Sequence, residues 1–433
     1  MKKYQEYRDS QHSWEKCIPN NWKCMKLQYC LSLLTDYTAN GSFASLAKNV
    51  QYLDKPDYSR LVRLTDLREN LENDGIWITK DAHEFLEKSE LFGGEIVLAN
   101  VGAYTGLVCR IPPIKGKASL APNMFLLKFK EILENNFMFY ALLSYFCNEQ
   151  LKLFATSTAQ PKLNKDNTKA VRIFVPSKSE QQLISQYLDQ KTQQIDILIE
   201  KKRKMIELLK EERAAIINQA VTKGINPDAE MKDSGIEWLG EVPKHWEVKK
   251  LKYSLKLITD KNVNGSLLKI GLENIESKTG KYIETDSEFL GEGIKFSKND
   301  LLFGKLRPYL AKVLLSEFEG NAIGDIFVYR AKEQVIPKFA FYRLLSDAFI
   351  EVINGSTFGA KMPRASSEFI GELPFPYPSI NEQNAIVKYI DERITSIEKT
   401  IKITEKEIAL IEEYRTALIN EAVTGKIKVT ESV

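Results

Sequence analysis

The sequence predicts an α+β protein in which two globular domains are separated by two long coiled-coil helices, paired antiparallel, with an internal pseudo-two-fold repeat. Three observations lead there. A tryptophan-rich block occurs twice, a long run free of glycine and proline occurs twice, and the stretches between them are unlike.

The first block is DSQHSWEKCIPNNWKCMKLQY at 9–29, and it returns as DSGIEWLGEVPKHWEVKKLKY at 233–253. Without a gap it matches Asp9/Asp233, Ser10/Ser234, Trp14/Trp238, Pro19/Pro243, Trp22/Trp246, Lys26/Lys250, Leu27/Leu251 and Tyr29/Tyr253. The second match runs without a gap from Pro176/Pro378 to Ile225/Ile427, and reaches back to Phe139–Tyr140 and Leu142–Ser144 against Phe341–Tyr342 and Leu344–Ser346. The second repeat is shorter, and the shortening falls between the matched blocks. Fixed flanks imply a shared scaffold; unlike middles imply two different targets.

The long runs begin with Ser177 and Ser379, each followed three residues later by glutamate (Glu180, Glu382), the capping-box pattern. Neither run meets glycine before Gly224 or Gly425. Steps of four and three pick out Ile195, Ile199, Lys202, Ile206, Leu209, Arg213, Ile216 and Ala220, then Ile397, Ile401, Thr404, Ile408, Ile411, Arg415, Leu418 and Ala422. That is a heptad seam, interrupted by polar residues at the same two places in each copy. One such stripe suggests a core helix. Two in the same register suggest helices that pack on each other, and Ile195 to Ala220 would span on the order of 40 Å, comparable to the ~34 Å turn of a DNA duplex. The segment around Gly224–Asp228 has turn chemistry and divides the repeats. Its PDAEMK places both acidic residues in one short linker, which does not suit a nuclease site. The basic run 201–204 has no counterpart at 403–406 and is expected to be a solvated helix face.

The middles, 30–175 and 254–377, carry short β-prone runs such as EIVLANV and IFVYRA, which points to an α+β layer. RLVRLTDL (60–67) resembles LLKIGLENI (267–275), and GEIVLANVGAYTG (94–106) resembles NDLLFGKLRPYLA (299–311), each a strand breaking into a loop. Candidate base-contacting residues in these loops are Arg63, Asn100 and Tyr104, then Lys305, Arg307 and Tyr309. A polar stretch before each long helix, aligned at Pro161/Pro363, adds Gln160, Lys162 and Asn164, then Lys361 and Arg364. Arginine and lysine suit guanine edges, asparagine and glutamine suit adenine edges, and hydroxyls suit phosphates.

Composition bounds the rest. The 433 residues carry 61 basic and 58 acidic side chains for a net charge of +3, so any nucleic-acid contact must rest on local patches. No apolar run approaches the ~20 residues of a membrane span, and no leader follows the charged start, so a cytoplasmic protein with no membrane partner is expected. Cys17, Cys24, Cys30, Cys109 and Cys147 are irregularly spaced, which suits reduced thiols and not zinc or disulfides. No nucleotide-binding Gly-x-x-x-x-Gly-Lys loop occurs. No Asn/Asp-Pro-Pro-Tyr motif occurs either; Pro112–Pro113 lacks both its flanking residues. His12, His83 and His245 match nothing across the repeat. No catalytic residue, metal site or cofactor is expected in this chain.

These blocks together resemble the specificity subunits of type I restriction-modification systems, and the resemblance covers essentially the whole chain. It is carried by WEKCIPNNWKCMKL and WLGEVPKHWEVKKL, by PSKSEQQLISQYLD and PSINEQNAIVKYID, and by AAIINQAVTKGI and TALINEAVTGKI. The first block departs from the pattern with Cys17 and Asn20–Asn21. The resemblance implies target-recognition domains at 1–176 and 233–378, spacer helices at 177–223 and 379–425, a linker at 224–232 and a tail at 426–433. It implies a non-catalytic subunit that reads a bipartite double-stranded DNA site. Its partners would be two methyltransferase subunits, which bring S-adenosylmethionine, and motor-nuclease subunits. Arg213 and Arg415 would contribute register or docking. Set against this are a stand-alone DNA enzyme, disfavoured by the missing motifs, a coiled-coil scaffold binding only proteins, and a specificity subunit of another restriction-modification type.

Overall fold

In a computed structural model, residues 3–12, 15–155, 160–262, 267–286, 291–357 and 362–429 are described. Trp14 and Lys361 lie outside them. The chain divides into a first unit, Met1–Glu200 with Glu407–Val433, and a second, Lys201–Lys406.

The apolar runs singled out in the middles become strands of two sheets with the same topology. In the first unit β1 (Leu31–Asp36), β2 (Ile96–Ala99), β3 (Val108–Arg110) and β4 (Met124–Phe129) lie in the order β1-β4-β2-β3. In the second, β5 (Leu255–Ile258), β6 (Leu301–Gly304), β7 (Val313–Leu315) and β8 (Ile326–Ala331) lie in the order β5-β8-β6-β7. All these neighbours are antiparallel. The sheets are covered on both faces. Ile96 and Leu98 join one core with Phe125 and Leu127, while Val97 joins another with Met124 and Leu126. Leu301 and Phe303 part from Leu302 in the same way. Burial on both faces is why the central strands β2 and β6 are continuously apolar and do not alternate.

A second sheet in each unit holds the likeness of 60–67 to 267–275. Ser59–Val62 runs parallel to Lys117–Leu120, and Lys269–Ile270 runs parallel to Gly320–Ala322. Each strand turns into a short helical segment capped from within. The buried Asp66 carboxylate accepts from the Arg63 N–H at 2.8 Å, and the buried Asn274 carbonyl accepts from the Gly271 N–H at 2.9 Å.

The helices α1 (Lys178–Lys223) and α2 (Ile380–Val423) match the predicted runs. Ser177 and Ser379 accept from the N–H of Glu180 and Glu382 at 3.4 and 3.3 Å. The reciprocal half of the capping box is diverted. Glu180 accepts from the Tyr4 hydroxyl, and Glu382 bonds the Trp246 indole and His245 at 2.9 Å each. Both helices are divided between the units. In the first, Asp196 of α1 meets Arg415 of α2 at 2.9 Å; in the second, Glu212 meets Arg393 at 3.1 Å. Partner numbers fall as α1 advances, so the pairing is antiparallel.

The seam lies inward. Ile195, Ile199, Ile206, Ile397, Leu418, Ala220 and Ala422 are buried, and Leu209, Ile216, Ile401, Ile408 and Ile411 are half-buried. Near the end of α1 the fully enclosed residue is Ile217 (3% exposed) and not Ile216, and Ile419 joins Leu418. A helix of 3.6 residues per turn drifts in this way against a repeat of 3.5.

Each tryptophan block receives the end of a long helix. α1 ends at Gly224 (φ 78°) against Trp246 and Pro243, and α2 ends at Gly425 (φ 75°) against Trp22 and Pro19. Both indoles are at most 1% exposed. Asn218 and Asn420, shortly before those ends, accept from the N–H of Ala348 and Tyr145 at 3.3 and 3.1 Å. The sequence repeats these residues because each block is the seat for a helix that starts in the other repeat. Among the described residues no helix is long and apolar enough to cross a membrane.

Candidate nucleic-acid interface

Two stretches chosen separately in the sequence come together in each unit. The loop after β2 and the segment before the helix at Lys165–Ala170 meet through a bridge between Val101 and Lys162; in the second unit Leu306 meets Arg364. The same three backbone bonds fix both junctions. Gly102 and Arg307 donate to the carbonyls of Pro161 and Pro363 at 3.0 and 2.8 Å. Leu163 and Ala365 donate to those of Asn100 and Lys305 at 2.8 and 2.9 Å. Asn100 and Lys305 donate to those of Asn123 and Asp325 at 3.1 and 2.9 Å. The backbones are equivalent, and the side chains on them are not.

In the first unit the junction is built from amides. Asn100 is buried, and its Oδ1 has no hydrogen-bond partner among the described residues. It lines a cavity of about 950 Å³ together with Asn123, Lys162, Asn164, Tyr37 and Tyr52. Three of the sequence candidates therefore share one cavity wall. Asn164 also accepts from the Asn167 N–H at 2.7 Å, starting the short helix, and Gln160 is exposed. Tyr104 is about half exposed; its hydroxyl accepts from Arg68 at 2.7 Å, and that guanidinium lies 4.8 Å from its ring centroid.

In the second unit the junction is charged. Asp325 accepts from Arg364 through both carboxylate oxygens at 3.1 and 3.0 Å, and Lys305 Nζ lies 3.8 Å away. Hydrogen bonding to Asp325 holds the Arg364 pKa above its ordinary value. Arg307 and Tyr309 are exposed beside them.

Arg63 belongs to neither junction. Its guanidinium grips Asp66 at 2.7 and 3.1 Å, and that hydrogen bonding raises its pKa. Its equivalent is Gly271, so the position is spent on capping a turn in both units. Arg213 and Arg415 also part company. Arg415 pairs with Asp196, whereas Arg213 donates to the Thr279 carbonyl at 3.3 Å, and Glu398 pairs with Lys281 at 2.7 Å. In the basic run, Lys201, Arg203 and Lys204 are exposed and Lys202 is half-buried.

Sequence reasoning missed Asn123, Asp325 and Arg68. The register that aligns Phe139 with Phe341 pairs Asn123 with Asp325 when carried back through the strands β4 and β8. Arg68 has no such signal, because it meets Tyr104 only through the tertiary fold.

Comparison with known proteins agrees with this architecture. A family model, the type I restriction modification DNA specificity domain, matches twice, at 40–208 and 243–413. The MjaVIII specificity subunit of Methanocaldococcus jannaschii is 27% identical over 354 residues, covering 72% of this chain and 75% of that protein. The putative MjaX specificity subunit of the same organism is 25% identical over 432 residues, covering 95% of each. Among solved structures, a chain from work on complex assembly and conformational transition of the type I restriction-modification system superimposes with a TM-score of 0.68 at 12% identity, over 95% of this chain and 99% of that one. The HsdS subunit of Thermoanaerobacter tengcongensis does so with a TM-score of 0.55 at 13% identity, over 95% and 98%.

Proposed function

Since the chain belongs to the type I restriction-modification DNA specificity family, we propose that it is the DNA-reading subunit of such a complex, each unit reading one half of a bipartite duplex site. The observation that carries this reading is the pair of equivalent junctions bearing unlike groups. Asn100, Asn123 and Lys162 stand in one where Lys305, Asp325 and Arg364 stand in the other. A common backbone with different donors and acceptors is what two different half-sites require, because base edges differ only in the pattern of donors, acceptors and methyl groups they present.

The chain supplies recognition, and its partners supply catalysis. Leu208 and Leu410, at matched positions of α1 and α2, are 52% and 53% exposed, and they suit the docking of two methyltransferase subunits; motor-nuclease subunits would join that complex. The domain boundaries follow the repeat: recognition domains at 1–176 and 233–378, helices at 177–223 and 379–425, joined by the linker 224–232. Mapping DNA methylation across the host genome with and without the gene tests the reading. Loss of one bipartite methylated motif on deletion supports it. Persistence of every motif, with no duplex bound by the purified complex, rejects it in favour of a protein-only scaffold.

A further inference from the structure

We infer that Arg307 is the specificity-determining residue of the second unit and that it reads a guanine; this rests on the DNA-reading function proposed above. The argument begins with the backbone. Arg307 sits at φ 50°, ψ 64°, in the left-handed region that side chains other than glycine rarely adopt. Its equivalent in the first unit is Gly102, at φ 94°, where the conformation is free of strain. The loop is the same length in both units, and the bond from this residue's N–H to the proline carbonyl is kept in both. The fold thus demands a left-handed residue here, and the second unit meets the demand with a long cationic side chain. The same loop holds a second left-handed residue, the buried Ala311, so strain alone does not single out Arg307; what does is the long, exposed cation that this position carries.

The surrounding charges show what Arg307 can do. Among the described residues, Lys305 and Arg364 are the other cations of the junction, and both lie against Asp325. Arg307 is exposed, and among the described residues its guanidinium bonds to no side chain. Asp325 therefore acts as a positioning residue. It occupies the neighbouring cations and, being a carboxylate, opposes close approach of a phosphate to the cluster. Among the described residues, Arg307 is then the junction cation that no carboxylate holds, an exposed guanidinium fork on a backbone pinned from both sides. Such a fork matches the O6 and N7 acceptors of guanine in the major groove. The first unit has no side chain at this point, so its half-site must be read by other groups.

The test uses the assembled complex and a pool of duplexes randomised at each position of the bipartite site. With the wild-type chain, one position of one half-site should favour guanine by roughly 5- to 150-fold, the range of a bidentate contact. Arg307→Gly restores the residue of the first repeat, so it should fold at least as well, which thermal unfolding checks. It should bring the preference at that position below about 2-fold and leave the other half-site unchanged. Arg307→Lys keeps the charge and loses the fork, and should fall between the two. Three results would overturn the inference: an unaltered profile in Arg307→Gly, relaxation at an A·T position, or a uniform loss of affinity across all sequences, which marks a phosphate contact. If the wild-type complex selects no bipartite site at all, the proposed function falls with it.

Discussion

Arg343 should make the second unit less stable than it could be. The side chain is completely buried, and its Nε and Nη2 have no hydrogen-bond partner among the described residues. Only Nη1 donates, to the Ser346 hydroxyl at 3.2 Å, and Ser346 is itself satisfied as a donor by the Arg343 carbonyl at 2.8 Å. The guanidinium lies 5.2 Å from the Trp238 ring centroid and 5.5 Å from that of Phe349. Burial without a carboxylate pushes its pKa down from the ordinary arginine range to about 9. A displacement of that size corresponds to a cost on the order of 5 kcal/mol for holding the charge. A methionine side chain in its place would keep most of the aliphatic stem and carry no charge. It forgoes aromatic contacts worth about 2 kcal/mol and leaves a small void, so Arg343→Met should stabilise the fold by ~1–3 kcal/mol near neutral pH. The pH dependence has a definite sign. The unfolded chain holds this proton far above pH 9, where the folded one gives it up, so the cost is complete below about pH 9 and shrinks as the pH rises beyond it. Urea unfolding of the full chain, followed by tryptophan fluorescence, should show the variant more stable at pH 7 and the gap narrowing by pH 10.5. A variant less stable at pH 7, or a gap independent of pH, would refute this account and make the aromatic contacts net stabilising.

Other substitutions test the helix seats and the charged junction. Gly425→Ala places a Cβ 2.5 Å from the Pro19 ring at φ 75°, so it should cost more than about 2 kcal/mol, whereas Gly224→Ala, whose nearest neighbour is Trp246 at 3.4 Å, should cost about 1 kcal/mol of backbone strain. Equal losses in chemical denaturation would count against the seating geometry. Arg415→Leu breaks a largely exposed pair with Asp196, so stability should change by less than about 1 kcal/mol; co-purification with unchanged yield of methyltransferase subunits would show that Arg415 has no docking role. Asp325→Asn releases Lys305 and Arg364, so binding to random-sequence duplex should tighten and the dependence of log K on log salt should steepen by about 1 to 2; an unchanged slope would mean that the two cations do not reach phosphates.

How much of this was legible in the sequence varies with the kind of contact. The long helices and their stripe were legible because periodicity and capping are local, and most seam residues lie where the spacing put them. The wander from Ile216 to Ile217 was not, since it accumulates from a small mismatch between helix and heptad. The capping box was half right. The serines cap, but the glutamates are drawn away by Tyr4 and Trp246, which reach them only after the chain has folded. The loops of the site were found through their polarity and their position after apolar strands. Their meeting, through the bridges Val101 to Lys162 and Leu306 to Arg364, is long-range and left no local trace.

The internal repeat serves as its own control, provided that differences are sorted by what the backbone does around them. Ala141 and Arg343 differ inside a run that is otherwise Phe-Tyr-x-Leu-Leu-Ser in both copies, but the arginine is buried, so that change touches stability alone. Arg63 and Gly271 differ as well, but the arginine is half-buried and tied to the carboxylate that caps its own turn. At the junctions, equivalent backbone bonds carry exposed and chemically unlike side chains. There the second unit also tolerates left-handed Arg307 and Ala311 where the first places Gly102 and Gly106. The alanine is buried, whereas the arginine is exposed and so can reach a partner outside the chain, which is what the proposed guanine contact requires.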